Sequence, residues 1–536
     1  MASHSPSSLA LGAVLAFVPG WAFSQQLYRI TDLGTVGGPR STAVGINDAG
    51  QVTGDSLLAD ATTIHAFRFS AGKRMIDLGT FAACRKSDNL GRESSAAGID
   101  GSGRVAGTSC HLQGPTRAFI APPGQPRVNL GTLPGGHASF AAAINDRGQV
   151  TGLSSILIDG VTHTHAYRAV AGKPMIDLGV CPATPVGFPA ELLEQNSQGM
   201  AINEAGQVVG RCENRWLDSS GIDFDVDHAF IASPGQPMTD LGTLGGEFSI
   251  PFGINDAGQV TGYSSASGDQ ESHAFLWTEG IGMQDLGTLG GGFSAGIAIN
   301  SAGSVAGVSL TGTNATHAFL WDGSAMRDLG SLGGTLVIVS AINDAGQVTG
   351  TSTLRNEGRR AFLSNGGRMK NLNGLVDPSD PLVPHVKLQD GVDINERGQI
   401  AANGCDRRTG ECHAYLVTPL EYSIRFIAPA SGFSGKQRTI VRVRAALVNK
   451  DGRRISDARA VSLLGVPCNV RLSATGGQTR SPVCMKYDAT TNEYYFNWWL
   501  RADGVGATTL KVAATYRFSM PETVTTLGTR TVTITR

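Results

Sequence analysis

The sequence predicts an all-β protein: an eight-bladed β-propeller closed by a three-plus-one strand arrangement, followed by a β-sandwich of immunoglobulin-like size. Three observations predict it. A unit of the form DLGTLGG, then INDAGQVTG, then HAFLW returns eight times along the chain. Each unit holds four short apolar runs of strand length and no apolar periodicity of helix length. Glycine supplies 71 of 536 residues without a three-residue period, so it marks tight turns and not collagen. Units of this length take precedence over a domain count drawn from chain length.

At the amino end, Leu9 to Phe17 is a short apolar run closed by Pro19 and Gly20, and Ala22-Phe23-Ser24 offers small residues to a signal peptidase. The run is too short to span a bilayer, so residues 1–24 are expected to be a removed export signal, although the segment before Leu9 has no Lys or Arg. No second run is long enough to cross a membrane. The cysteines agree with export: Cys84, Cys110, Cys181, Cys212, Cys405, Cys412, Cys468 and Cys484 form four local pairs in chain order. An even count behind an export signal argues for disulfides in an oxidising compartment.

In the fifth unit the strand-like runs are Phe252–Asn255, Gln259–Tyr263, His273–Trp277 and Met283–Leu286. The first two are joined by Asn255-Asp256-Ala257-Gly258, which suits a type I turn followed by a residue at positive φ, a conformation glycine accepts without steric cost. All eight copies keep that glycine. A calcium loop is the competing reading of Asn-Asp-x-Gly, but no later acidic ligand recurs.

The third run opens with His65, His165, His228, His273, His317 and His413, and with Arg117 and Arg360 in the other two units. The next DLG supplies Asp77, Asp177, Asp240, Asp285 and Asp328, but Asn129 and Asn371 follow the two arginines. Residues that change together tend to touch, so His–Asp and Arg–Asn pairs are expected across strands three and four. Buried structural hydrogen bonds are the favoured role, because an active site is not usually copied six times. His413 has no DLG after it, and Asp32 lies in a strand with no unit before it. Pairing Asp32 with His413 would shut the ring and remove exposed edges. The expected boundaries are a signal at 1–24, a propeller at 25–419 and a sandwich at 420–536.

The HAF tripeptide, flanked by INDAGQVTG and DLGTLGG, resembles the HAF family of extracellular bacterial repeats over nearly all of residues 28–418. The departures are Arg117 and Arg360 for His, Asp100 for Asn, and the degenerate Asn371-Leu372-Asn373. The resemblance implies export and the repeat type. It brings no catalytic residues.

In antiparallel units the two–three loops and the unit-to-unit links share one face. Long segments are expected there at Thr80–Ser95, Val180–Gly199, Arg211–Asp227 and Asn373–Val392, and variable loops on a rigid scaffold are where ligands meet such folds. Bridges 84–110 and 181–212 would pin two of them, and 405–412 the last two–three loop. Within Arg211–Asp227, Asp223, Asp225 and Asp227 alternate and would project to one side. They are candidate Ca2+ ligands, with a solvated acidic loop as the alternative. Trp216 is a candidate sugar-stacking platform or simple packing.

From Glu421 onward the repeat stops and 17 Lys and Arg face 7 Asp and Glu, against 26 and 37 before it. Alternating runs at Thr439–Val448, Asn492–Leu500 and Thr508–Phe518 suggest the sandwich, with Cys468–Cys484 as its bridge. No HExxH or Walker loop is present. The favoured function is a secreted or surface-exposed scaffold that binds a glycan or protein on the long-loop face. The alternative is an extracellular carbohydrate-active hydrolase or lyase at the channel mouth. Export disfavours nucleic acid as a partner.

Overall fold

The computed structural model describes residues 27–81, 94–111, 114–182, 190–218, 223–268, 270–355 and 357–420, and in the tail 422–428, 434–436, 440–449, 470–476, 480–484, 486–488, 493–499, 506–516 and 523–535. The chain is all-β; among the described residues helix is confined to one 3₁₀ turn at Leu372–Leu375. It divides into two compact units, Gln26–Leu420 and a second that contains Glu421–Arg536. The export-signal reading falls on residues outside the described set.

Gln26–Leu420 is a series of four-stranded antiparallel sheets. Sheet one runs Ser41–Ile46, Val52–Leu57, Ile64–Phe69 and Ile76–Asp77, and each later sheet follows the same order. Sheets five and six are also linked by one parallel bridge, Ser272 to Phe293. In sheet eight the first three strands are Val386–Ile394, Ile400–Asp406 and Cys412–Pro419, and the fourth is Tyr28–Asp32. That strand pairs in register from Tyr28 opposite Pro419 to Asp32 opposite Tyr415.

The HAF tripeptide explains the cores. Its third residue is aromatic in all eight sheets: Phe67, Phe119, Tyr167, Phe230, Phe275, Phe319, Phe362 and Tyr415 are all 0% exposed. Each of these rings except Tyr415, which faces Ala402, lies opposite the glycine of the second strand, as Phe67 lies opposite Gly54. A Cβ on Gly54 would sit 1.9 Å from Thr42 O, and one on Gly107 only 2.6 Å from the Phe119 ring. Glycine is therefore required by close approach at these sites, and the aromatic ring covers the space it leaves. The middle alanine faces the next sheet. Ala166 packs with Val208 and Phe230, Ala229 with Val260 and Phe275, and Ala414 with Val52 and Phe67 of sheet one.

The same alanine carries a polar link. Ala118 N donates to Ser139 Oγ at 3.0 Å, and Ser139 Oγ donates to Gly131 O at 2.6 Å. Ser197, Ser249, Ser294 and Ser41 make the same two bonds from sheet to sheet. All eight first strands also carry a register shift two residues before their last residue, as between Ala43 and Gly45. A bulge there sharpens the local twist.

The INDAG turns are joined by side chains. Gly50, at φ +74°, donates its N–H to Asn47 O at 2.9 Å, completing the turn. Asn47 Oδ1 accepts from Gln51 N, while Nδ2 reaches Gln51 Oε1 and, at 2.8 Å, the carbonyl of Asp100 in the next unit. Asn145, Asn203, Asn255, Asn300, Asn343 and Asn395 reach the next turn in the same way, and Asn395 reaches back to Asn47 O. Asp100 has no side-chain donor. There Arg104 replaces the glutamine, pairs its Nε with Asp100 Oδ2, and sends NH2 to Asp146 O at 2.6 Å.

The sequence reading placed Arg211–Asp227 in a loop. The structure instead extends it as a hairpin, Val208–Asp218 with Asp223–Ala232. The first strand of that sheet likewise begins at Ala190, inside the expected link. The reason is alternation: Cys212, Asn214 and Trp216 are buried while Arg211, Glu213 and Arg215 are not. Charge on one side masked a period of two.

The tail unit holds two sheets. One orders Tyr422–Ala428, Ile440–Asn449, Glu493–Trp499 and Lys486–Asp488; the other orders Ser434–Lys436, Thr523–Thr535, Gly506–Tyr516, Val470–Gly476 and Arg480–Cys484. Cys468 lies outside the described residues.

Two outcomes are expected. Ser41→Ala removes the acceptor of Ala414 N and the donor to Gly34 O at a site 1% exposed. Urea unfolding should show a loss of about 1–3 kcal/mol, the cost of buried groups left unpaired; an unchanged midpoint contradicts this. Asn395→Asp should lower the melting temperature, and adding Gln399→Arg, the Asp100–Arg104 solution transplanted, should recover part of the loss. No recovery would mean that the arginine does not carry the link.

Candidate functional site

The six His–Asp pairs are hydrogen-bonded through Nδ1: His65–Asp77 at 2.8 Å, His165–Asp177 at 2.9 Å, His228–Asp240 at 2.7 Å, His273–Asp285 at 2.8 Å, His317–Asp328 at 3.0 Å and His413–Asp32 at 2.9 Å. They are not buried as expected, because the aspartates lie on short outer strands and are 23–45% exposed. Each carboxylate also accepts the N–H of the glycine two residues on, as Asp77 does from Gly79 at 2.7 Å. Asn129 and Asn371 keep that acceptor role toward Gly131 and Asn373. Arg117 donates to the carbonyls of Thr116 and His137, and Arg360 to Arg359 O.

Burial works against ionisation of Asp77, yet the bonds from His65 and Gly79 outweigh it and hold the carboxyl below its usual range; Asp177 is held low likewise by His165 and Gly179. His413 is raised, chiefly by its bond to Asp32 and against burial.

The long-loop face holds a cavity of about 270 Å³ between sheets three and four. Sheet three pairs Gln149–Ile158 with Val161–Val170 as a ten-residue-per-strand hairpin, and its tip supplies Ile158, His163 and His165. The link into sheet four supplies Val180, and its first strand, Ala190–Ile202, supplies Leu192, Leu193, Glu194 and Gln195. Cys181–Cys212 ties the link to the second strand of sheet four. Of its walls, Ile158 is 40% and Leu193 46% exposed.

The other candidates fall as follows. Trp216 is 8% exposed, so it packs inside and offers no stacking face. Asp225 is exposed and stands opposite Arg215, and Asp227 accepts from Arg211 NH1 at 3.2 Å. Asp223 lies on the same strand, its side chain outside the described set. Burial, with Asp225 nearby and against Arg211, raises Asp227; burial followed by Asp227 raises Glu213, its cross-strand neighbour. Arginines on the acids make this a mixed-charge face. Among the described residues no three His, Cys, Asp or Glu side chains are placed to hold a metal ion.

Cys405 is bridged to Cys412. Cys110 is disulfide-bonded, while Cys84 lies outside the described residues and only the backbone of Cys484 is described. Among the described residues no helix is long and apolar enough to cross a membrane. The cavity itself was missed by the sequence reading; the signal was the alternation that lengthens the hairpins of sheets three and four.

No known family and no curated protein matches this sequence. Among solved structures, the β-propeller domain of the Trilobed protease from Pyrococcus furiosus is similar at 10% identity and a TM-score of 0.37, covering 64% of this chain and 100% of that one. Dipeptidyl peptidase 4 of Porphyromonas gingivalis is similar at 9% identity and 0.40, covering 78% of this chain and 65% of that one. The BP39L lectin of Burkholderia pseudomallei is similar at 7% identity and 0.31, covering 65% and 99%. Likenesses this loose assign no chemistry to this chain.

A raised histidine in the folded state stabilises fully below its unfolded pKa and loses that contribution as pH rises through the folded value. His413 should therefore make the melting temperature fall as pH is raised above 6.5. Asp32→Asn should flatten this fall in a calorimetric pH series; an unaltered slope would exclude His413 as its source.

Proposed function

We propose that residues 27–420 form an eight-bladed propeller closed three-plus-one, that residues 421–536 form an immunoglobulin-like sandwich, and that the chain is an exported HAF-type repeat protein that binds a glycan or protein on its long-loop face. Closure is supported by neighbour order. First strands of successive sheets adjoin one another, and that of sheet eight, Val386–Ile394, adjoins that of sheet one. Export is supported by the bridged cysteines.

The observation that carries the binding role is the cavity between sheets three and four, flanked by exposed apolar residues. Concave sites with a few polar groups in an apolar wall are the usual form of ligand sites. A hydrolase or lyase at the channel mouth would need convergent acids, His or Arg there.

A glycan and protein array probed with the intact chain should give hits that Ile158→Trp abolishes, since Ile158 is a cavity wall 40% exposed and outside the shared cores. Silence across envelope polysaccharides, host glycans and proteins would overturn the reading.

A further inference from the structure

The cavity between sheets three and four has a one-sided hydrogen-bonding inventory. Asp177 is an acceptor, so the Nδ1–H tautomer of His165 donates to it at 2.9 Å, and in that tautomer Nε2 is an acceptor. Gln195 spends its Nε2 on Cys181 O and Asn214 Oδ1, both at 3.0 Å, which leaves its carbonyl oxygen. Glu194 takes one bond, from Asn196 Nδ2 at 3.0 Å, and has further acceptor sites. Arg215 stands opposite Glu194 across the strand pair but is not a wall of the cavity. His163, the remaining polar wall, can serve as donor or acceptor.

The rest of the lining is apolar: Ile158, Val180, Leu192 and Leu193. At about 270 Å³ the space is smaller than the ~300–1,000 Å³ of drug-sized sites, so it suits a group the size of one long side chain. Acceptors within an aliphatic wall match a donor at the end of an aliphatic stem. A carboxylate among them favours a charged donor, because charge-assisted bonds are the stronger ones.

We infer that this cavity is a receptor for a primary aliphatic amine, such as a lysine-like side chain of the partner. This rests on the binding reading above and names the chemistry of its site. The ammonium meets Glu194, His165 Nε2 and the Gln195 carbonyl, while the stem lies against Ile158, Val180 and Leu192. Exposed Leu193 then meets whatever body the amine is attached to. A ligand ending in a carboxylate would place like charge against Glu194.

The test titrates the intact chain by calorimetry with hexylamine, hexanol and hexanoate at equal ionic strength. Hexylamine should bind about tenfold or more tightly than hexanol, given the usual strength of hydrogen bonds to charged groups, and hexanoate should bind least. Glu194→Gln should bring hexylamine down to the level of hexanol, and Ile158→Trp should abolish binding of both. Hexanoate binding as well as hexylamine, hexylamine binding unchanged in Ile158→Trp, or no hexylamine binding at millimolar concentration each overturn the assignment. Array hits lost in Ile158→Trp, with no response to hexylamine, would keep the binding reading and sink the amine. A silent array with saturable, Glu194-dependent hexylamine binding would do the reverse.

Discussion

A four-stranded sheet that is apolar on both faces cannot bury them alone, and the eight apolar cores of residues 27–420 are each shared between two sheets. The HAF alanine of one sheet packs against the valine and aromatic ring of the next, and its N–H is held in most sheets by the next sheet's serine. Such an arrangement leaves one bare face at each end unless the ends meet. Here the last alanine, Ala414, meets Val52, Phe67 and Ser41 of sheet one, and Tyr28–Asp32 supplies the strand that sheet eight lacks. At the seam Asn403 Oδ1 accepts from Ala43 N, as Asp55 and Thr108 accept from Ala96 N and Ala141 N in the sheets that follow, and Asp393 Oδ2 adds a bond from Ile46 N. Burial pushes the Asp393 carboxyl up to about 6 against its bonds from Ile46 N and Ile394 N.

Much of this was legible because each unit repeats its period and its turn chemistry. The glycine at positive φ, the His–Asp spacing and the cysteine pairs are local features, readable from residue type and separation. The serine links, the strand bulges and the asparagine relay were not read. A serine or asparagine in sequence does not say which neighbouring sheet it will reach. One signal was present: Asp100 is the sole departure from Asn, and Arg104 four residues on replaces a glutamine that otherwise varies only at Ser304. It was noted only as a departure in Asp100, and the four-residue partner was passed over.

The candidate site was legible only in outline. The face was argued from loop length, and the cavity found there is built from residues 158–195, but the segment singled out, Arg211–Asp227, is a hairpin whose acids meet arginines. Trp216 reads as exposed only if the segment is a loop; as a strand residue it turns inward. The uniform parts of the units maintain the scaffold, and the cavity lies where sheets three and four outgrow that pattern.

The account stands on Tyr28–Asp32 being an integral part of the last sheet. Hydrogen–deuterium exchange of the intact chain reads this directly. Amides of Arg29 to Thr31 should be protected to the same degree as those of Tyr415 to Val417, and both sets should open together in denaturant. Exchange of Arg29 to Thr31 at the rate of free chain, with the other sheets still protected, would contradict it.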